Sequence, residues 1–171
     1  IRIDLRKDIE VELKKIWRKI KEIRFREIGF AIRDLRKNEK IDNKLKLKVS
    51  KYKSSNGNEY FLEFVNKDNI LFGLCRLRIV EDLAIVRELH VYGQALALGE
   101  KGKGFGQHRG LGKKLIKEVE KIAKKEGIDK LQIISGVGVR QYYKKIGYKL
   151  DKKKVYMYKS FQKRFMSKTQ K

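Results

Sequence analysis

The sequence predicts an α/β domain: a mixed, twisted sheet of about seven strands with helices on both faces, preceded by a helical segment. Three observations lead there. Four runs of strand-like residues, separated by turn residues, fill positions 45–91. A glycine-rich turn, Gly110-Leu111-Gly112, then passes directly into an amphipathic helix. The short apolar run Leu131 to Ile134 follows that helix, so a meander is succeeded by one β-α-β crossing.

Taken in order, residues 8–24 read as an amphipathic helix. Ile9, Leu13, Ile16, Ile20 and Ile23 form one stripe, Trp17 widens it, and Asp8 stands where it can cap the start. The opposite face carries Lys14, Lys15, Arg18, Lys19 and Lys21. That face suits either plain solvation or the tracking of phosphates. Arg24 to Gly29 reads as a connector in which Phe25 is interleaved with Arg24 and Arg26, and 36–43 as charged loop.

Leu45, Leu47 and Val49 alternate with Lys44, Lys46 and Lys48, the period of a half-buried strand. Ser54 to Asn58 turns the chain into a hairpin partner, Tyr60 to Val65. Lys67-Asp68-Asn69 turns it again into a long strand, Ile70 to Val80, where Gly73 marks a bulge or a close contact. Leu83 to Val91 pairs next. The helix over about 111–126 places Leu111, Leu115, Ile116, Val119, Ile122 and Ala123 at helical spacing, and Gly127 stops it. Leu131 to Ile134 has the apolar signature of burial on both faces. Ser135 stands where it can cap a short helix that runs to Lys145 and ends at Gly147. Tyr148 to Leu150 and Val155 to Tyr158 read as two last strands. Residues 1–43 are thus a helix and connector leading from a preceding domain, 44–161 the globular domain, and 162–171 a basic tail.

Forty-five Lys and Arg against 21 Asp and Glu give a net charge of +24. Such an excess attracts polyanions in a salt-dependent way, so contact with RNA or DNA is expected beside the plainer reading of a merely basic surface. Heat-adapted composition enriches both signs, whereas here one sign dominates. The single Cys75 rules out an internal disulfide, supplies no metal cluster, and fits a reducing, cytoplasmic setting. No apolar run is long enough to span a membrane, and neither a membrane partner nor a metal is expected. The chain opens at Ile1-Arg2 without a Met, so a piece of a longer protein is expected, and no secretory signal is visible.

Chemistry concentrates in three segments. At Gly110 and Gly112 a backbone without side chains can approach a ligand or take positive φ. The free N–H groups of the helix that follows, together with its dipole, make a phosphate cradle, although two glycines before a helix also suit an ordinary loop. Neither a Walker loop nor a dinucleotide fingerprint is present. The second segment, Arg87 to Gly93, is the strand entering that loop. Alternation sends Leu89 and Val91 one way and Glu88 and His90 the other. Its backbone can pair with an extended amide ligand, and Glu88 and His90 are candidate bases. The third is the helix with Tyr142 and Tyr143. These face different ways, so one phenol packs and the other is a candidate to protonate or hydrogen-bond a leaving group. His108 reads as a packing residue beside the cradle.

Gln107-His108-Arg109-Gly110-Leu111-Gly112 resembles the Q-x-x-R/x-G-x-G/A loop with which GNAT acetyltransferases hold the pyrophosphate of acetyl-CoA. Adding Arg87-Glu88-Leu89-His90-Val91-Tyr92-Gly93 and Ile134 to Tyr148 (Ile-Ser-Gly-Val-Gly-Val-Arg-Gln-Tyr-Tyr-Lys-Lys-Ile-Gly-Tyr) sharpens this. The combination closely resembles the catalytic subunit of Elongator, which joins a radical S-adenosylmethionine domain to a GNAT-like domain. Arg26-Glu27-Ile28-Gly29 and Gly73-Leu74-Cys75-Arg76-Leu77-Arg78 are similar to further segments of that family, so the resemblance spans about 24–160.

The resemblance implies a GNAT fold and a tRNA wobble-uridine carboxymethylation with acetyl-CoA as carbon donor. It implies acetyl-CoA contacts at Glu88, Leu89, His90, Val91, Gln107, Arg109, Gly110, Leu111, Gly112, Lys113 and Tyr143, with Tyr143, His90 and Glu88 as the candidate catalytic groups. Lys14, Lys15, Arg18, Arg24 and Arg26 are the expected tRNA contacts. An iron–sulfur cluster and S-adenosylmethionine are expected only in the radical domain, whose cysteine triad this chain lacks. That domain is an expected partner, and a homodimer or accessory subunits stay open. The loop 94–105 departs from the family pattern. Two other readings stand beside this one: a protein-lysine or small-amine N-acetyltransferase, and a non-catalytic RNA-binding module on the same fold.

Overall fold

The computed structural model describes residues 5–14, 16, 21–33, 41–93 and 110–161. The expectations placed on Lys15, Arg18, Gln107, His108 and Arg109, on the loop 94–105 and on the tail from 162 lie outside these residues, as does the side chain of Lys14. The elements are α1 (Leu5–Lys14), α2 (Ile23–Arg26), α3 (Ile28–Arg33), β1 (Lys46–Ser54), β2 (Gly57–Val65), β3 (Leu71–Val80), β4 (Leu83–Val91), α4 (Leu111–Lys125), β5 (Lys130–Ile134), α5 (Arg140–Lys145), β6 (Lys149–Leu150) and β7 (Tyr156–Ser160). A 3-10 turn over Val137–Val139 leads into α5.

The strands form one seven-stranded sheet in the order β1-β2-β3-β4-β5-β7-β6. Ser55 and Asn56, both at positive φ, make the two-residue turn between β1 and β2, which only antiparallel strands can share. Gly57 follows because the strand passes too close to its neighbour for a side chain. A Cβ there would lie 2.7 Å from Val80 Cγ2 and 2.9 Å from the Ile79 carbonyl oxygen. β4 and β5 run parallel, with Ala84 opposite Leu131 and Val86 opposite Ile133, whereas β5 and β7 run antiparallel. The sheet is therefore mixed.

Two compact units interleave along the chain. The first comprises Ile1–Lys48, Glu63–Leu74 and His90–Leu111. Its core is Ile28, Ile70, Phe72 and Leu111, with Ala31, Ile32, Ile41, Leu45, Phe64 and Tyr92 packed against it. Here the single helix expected over 8–24 is replaced by separate ones. Lys21 and Glu22 are not helical, and the Glu22 carboxylate accepts the Phe25 N–H at 3.0 Å, which starts α2 afresh. The segment expected as a connector, 24–29, is helical on either side of Glu27, which is extended and forms an isolated parallel bridge with Leu71. Phe25 packs edge-on against Phe30. On α1 the apolar stripe is left open, Ile9 being 46% exposed.

The second unit comprises Val49–Leu62, Cys75–Leu89 and Gly112–Lys171. Its buried residues include Leu62, Leu77, Val86, Leu115, Ile116, Val119, Leu131, Ile133 and Met157. α4 ends where Gly127 takes φ +80°, and α5 where Gly147 takes φ +91°, as left-handed glycine stops do. Three expectations need correction. β1 is not half-buried, since as the edge strand it leaves even Val49 exposed. β5 is not buried on both faces, because Leu131 and Ile133 are covered while Ile134 is exposed. Ser135 caps nothing: the 3-10 turn starts from Gly136 without a side-chain bond, and Ser135 Oγ is buried without a partner.

Candidate functional site

β4 is the strand to build from. Its register with β5 covers Ala84, Ile85 and Val86 only. β5 ends at Ile134 while β4 runs on to Val91, and among the described residues no strand is registered beside Arg87 to Val91 on that side. A strand that outruns its neighbour can take up an extended ligand by main-chain pairing. Glu88 and Leu89 are half-buried there, and His90 and Val91 are exposed.

The cradle expected before α4 has the predicted backbone. Gly110 takes φ +93°, and nothing lies within 4 Å of where a Cβ would stand. α4 is 15 residues long, with no acid in its first turn to compete for its N–H groups. Gly112 is buried in that turn, and Lys113 is exposed. Leu111 contributes only its main chain, because its side chain belongs to the core with Ile28 and Phe72.

Tyr143 is 5% exposed and its neighbour Tyr142 38%. The Tyr143 ring packs edge-on against two aromatic neighbours, Tyr142 with centroids 5.2 Å apart and Tyr148 with centroids 6.1 Å apart. Burial, then Cys75 and Tyr142, pushes its phenol up to about 12, so it stays protonated at neutral pH. Among the described residues no hydrogen bond holds its hydroxyl, whereas Tyr148 donates to Glu120 at 2.9 Å. Burial, then Glu88, pushes the Cys75 thiol up to about 12 as well, which leaves it a neutral small hydrophobe rather than a nucleophile.

Glu88 pairs with Arg76 at 3.5 Å. Arg76 and Cys75 are neighbours on β3, and Glu88 lies near enough to pair with the first and act on the second. No described hydrogen bond joins Glu88 to Tyr143. His90 stacks on Tyr92, with ring centroids 6.0 Å apart. The structure therefore brings Tyr143 together with Cys75, Tyr142 and Tyr148, and Glu88, paired with Arg76, acts on the same Cys75.

Arg26 is a correction. It is 8% exposed and lies 2.6 Å from Glu63, close in distance but off the hydrogen-bond axis, with further bonds to the Asn69 carbonyl and side chain. A guanidinium held this way cannot grip tRNA. Arg24 is exposed and keeps its expected availability. One charged cluster escaped the sequence reading. Glu59, 2% exposed, accepts from Arg78 and Arg87, each at 2.9 Å. The signal was present: arginines at alternate positions of an otherwise apolar strand need acids on neighbouring strands. Among the described residues no three His, Cys, Asp or Glu gather to hold a metal, and no helix is long and apolar enough to cross a membrane.

The acetyltransferase (GNAT) family matches residues 17–148. The chain belongs to the GNAT family. Its mixed seven-stranded sheet, with β4 and β5 parallel, is the GNAT fold, and the family membership makes it an acyltransferase. Among curated relatives, this GNAT chain is 47% identical over 112 residues to the tRNA uridine(34) acetyltransferase of Dehalococcoides mccartyi, covering 58% of the chain and 24% of the relative. It is 38% identical over 160 residues to Elongator complex protein 3 of Dictyostelium discoideum, covering 86% of the chain and 28% of the relative. Among solved structures, the archaeal Elp3 of Methanocaldococcus infernus superimposes with a TM-score of 0.75 at 36% identity, over 91% of this chain and 38% of that one. The chain thus spans about a quarter of the length of the curated relatives it matches.

Proposed function

We propose that residues 44–161 are the acetyl-CoA-binding domain of a tRNA wobble-uridine-modifying acetyltransferase, with 1–43 the connector from a preceding radical S-adenosylmethionine domain. What supports the acetyl-CoA part is the run of β4 beyond its register with β5, together with the positive φ of Gly110 and the acid-free start of α4. The names borne by the relatives support tRNA uridine as the acceptor.

The residues present fit such a cofactor. The main chain of Glu88 to Val91 would take the extended amide arm, and the N–H groups of Gly112 and Lys113 the pyrophosphate, with the Lys113 ammonium adding charge. Bound acetyl-CoA would supply an activated acetyl thioester. Tyr143 holds its proton at Oη, where it can donate a hydrogen bond to negative charge developing on a leaving sulfur. With the phenol pushed up to about 12 and an ordinary thiol at about 8.5, outright proton transfer runs uphill by more than a thousandfold, so hydrogen bonding is the larger part of its work. Glu88 stays anchored by Arg76 on that run of β4.

Calorimetric titration of the chain with acetyl-CoA tests the reading. Binding is expected in the parent and at least a hundredfold loss in Gly112→Trp, whose side chain would fill the cradle. Equal affinity in the two proteins would mean that the α4 start holds no pyrophosphate.

A further inference from the structure

The segment from the end of α5 through β6 and its turn has no role in the fold that its composition explains. Lys144, Lys145, Lys149, Lys152, Lys153 and Lys154 lie within eleven consecutive positions, and all six are exposed. None has an ion-pair or hydrogen-bonding side-chain partner among the described residues. The acid in their midst, Asp151, is already engaged, since its carboxylate accepts the N–H groups of Val155 at 2.7 Å and Tyr156 at 3.0 Å. Elsewhere in the same unit some lysines do meet acids: the exposed Lys51 meets Glu126 and Lys121 meets Glu118, and the half-buried Lys159 meets Glu120.

The lysine turn is also held in place. The Arg140 guanidinium donates to the Lys154 carbonyl oxygen at 2.7 Å, tying the turn to the start of α5. Lys154 takes φ +57°, a conformation that glycine or asparagine would adopt at lower cost. A lysine kept there puts a charge where the backbone would prefer no side chain. On the same short helix, Tyr142 is exposed while its ring leans on Tyr143. A fixed array of unpaired ammonium groups around an exposed, braced aromatic ring is complementary to one kind of partner: a phosphodiester backbone carrying unstacked bases.

We infer that the α5–β6 segment is an RNA-binding surface, with the six lysines meeting phosphates and Tyr142 stacking on an unpaired base next to the Tyr143 phenol. The inference rests on the reading of Tyr143 and of tRNA given above. It places the RNA on the unit that carries the reacting phenol, and so goes beyond a nonspecific attraction to net charge.

The test uses the whole chain and a tRNA transcript, with affinity measured across a salt series. The variant Lys144→Glu/Lys145→Glu/Lys152→Glu/Lys153→Glu is compared with a control of equal charge change, Lys44→Glu/Lys46→Glu/Lys53→Glu/Lys125→Glu. The first is expected to lower affinity far more than the control and to make the slope of log K against log salt shallower by roughly three. Tyr142→Ala should weaken binding about tenfold and Tyr142→Phe should not. Should a charge-reversed protein lose its cooperative melt, the Lys152→Gln/Lys153→Gln pair carries the same comparison. Equal loss in variant and control would overturn the proposal, as would an unchanged slope. So would loss of binding to phosphatidylserine vesicles with tRNA affinity intact, which would make the surface a membrane contact. Acetyl-CoA affinity measured in parallel separates the two readings: a parent that ignores acetyl-CoA yet shows the RNA effect removes only the cofactor reading.

Discussion

At the scale of single residues, burial does most of the chemical tuning. Tyr143 and Cys75 are both buried, and each is held in its protonated form up to about 12. For Tyr143 this means a donor that does not switch off in the neutral range. Changing it to Phe should slow thioester cleavage by about 10–100-fold, the worth of a hydrogen bond to a charged atom, with melting unaffected beyond a degree or two. Single-turnover release of free thiol would show it, and an undiminished rate would return Tyr143 to packing. The same shifts make stability depend on alkaline pH. In the unfolded chain Cys75 loses its proton near 9.0, but the folded chain keeps it until about 12. Its contribution is therefore complete below pH 9 and is lost as pH rises toward 12, at up to about 1.4 kcal/mol per pH unit. Tyr143 joins from about 10. Urea midpoints taken at pH 8, 9, 10 and 11 should fall, and Cys75→Ala should flatten the first part of that fall. A parallel decline in the variant would assign the loss to other groups.

At the scale of elements, what the sequence revealed depended on whether a signal was local. β4 was legible to the residue because Asp82 and Gly93 bracket a run with strand character, and α4 because its apolar spacing and its glycine stop are both written in sequence. The glycine turn before α4 was legible for the same reason. Long-range partners were not. Nothing near Arg26 in sequence announces Glu63 or Asn69, so an arginine beside Phe25 looked like a surface grip when it is a buried tie from α2 to Glu63 of β2 and Asn69 of the β2–β3 turn. Nor does the sequence show that β1 is an edge, which is why its alternation overstated its burial. The Arg26 tie yields its own prediction. Arg26→Ala strands the Glu63 carboxylate in an apolar setting and should cost about 3–5 kcal/mol. Arg26→Met/Glu63→Met, which removes both charges, should recover much of that. Denaturant unfolding of the single and double variants measures both. If the single variant were no less stable but lost tRNA affinity, Arg26 would be a contact after all.

At the scale of the whole molecule the governing quantity is the charge of +24. Two effects of salt then oppose each other. Screening relieves repulsion among the excess cations, which favours the compact state. It also weakens ion pairs, but those that matter most here, Glu59 with Arg78 and Glu63 with Arg26, are buried and are screened least. The exposed pairs, such as Lys121 with Glu118, are each worth little. Repulsion should therefore win. Raising the ionic strength from about 0.01 to 0.1 M shortens the screening length from about 30 to about 10 Å, enough to uncouple lysines on separate elements. The melting temperature of the chain alone should rise over that interval. With tRNA present the order reverses, because a polyanion already neutralises the cations and salt then drives it off. Calorimetry with and without tRNA across the same salt series reads both signs in one experiment. A melting temperature that falls with salt in the chain alone would mean that surface ion pairs, rather than repulsion, set the stability of this protein.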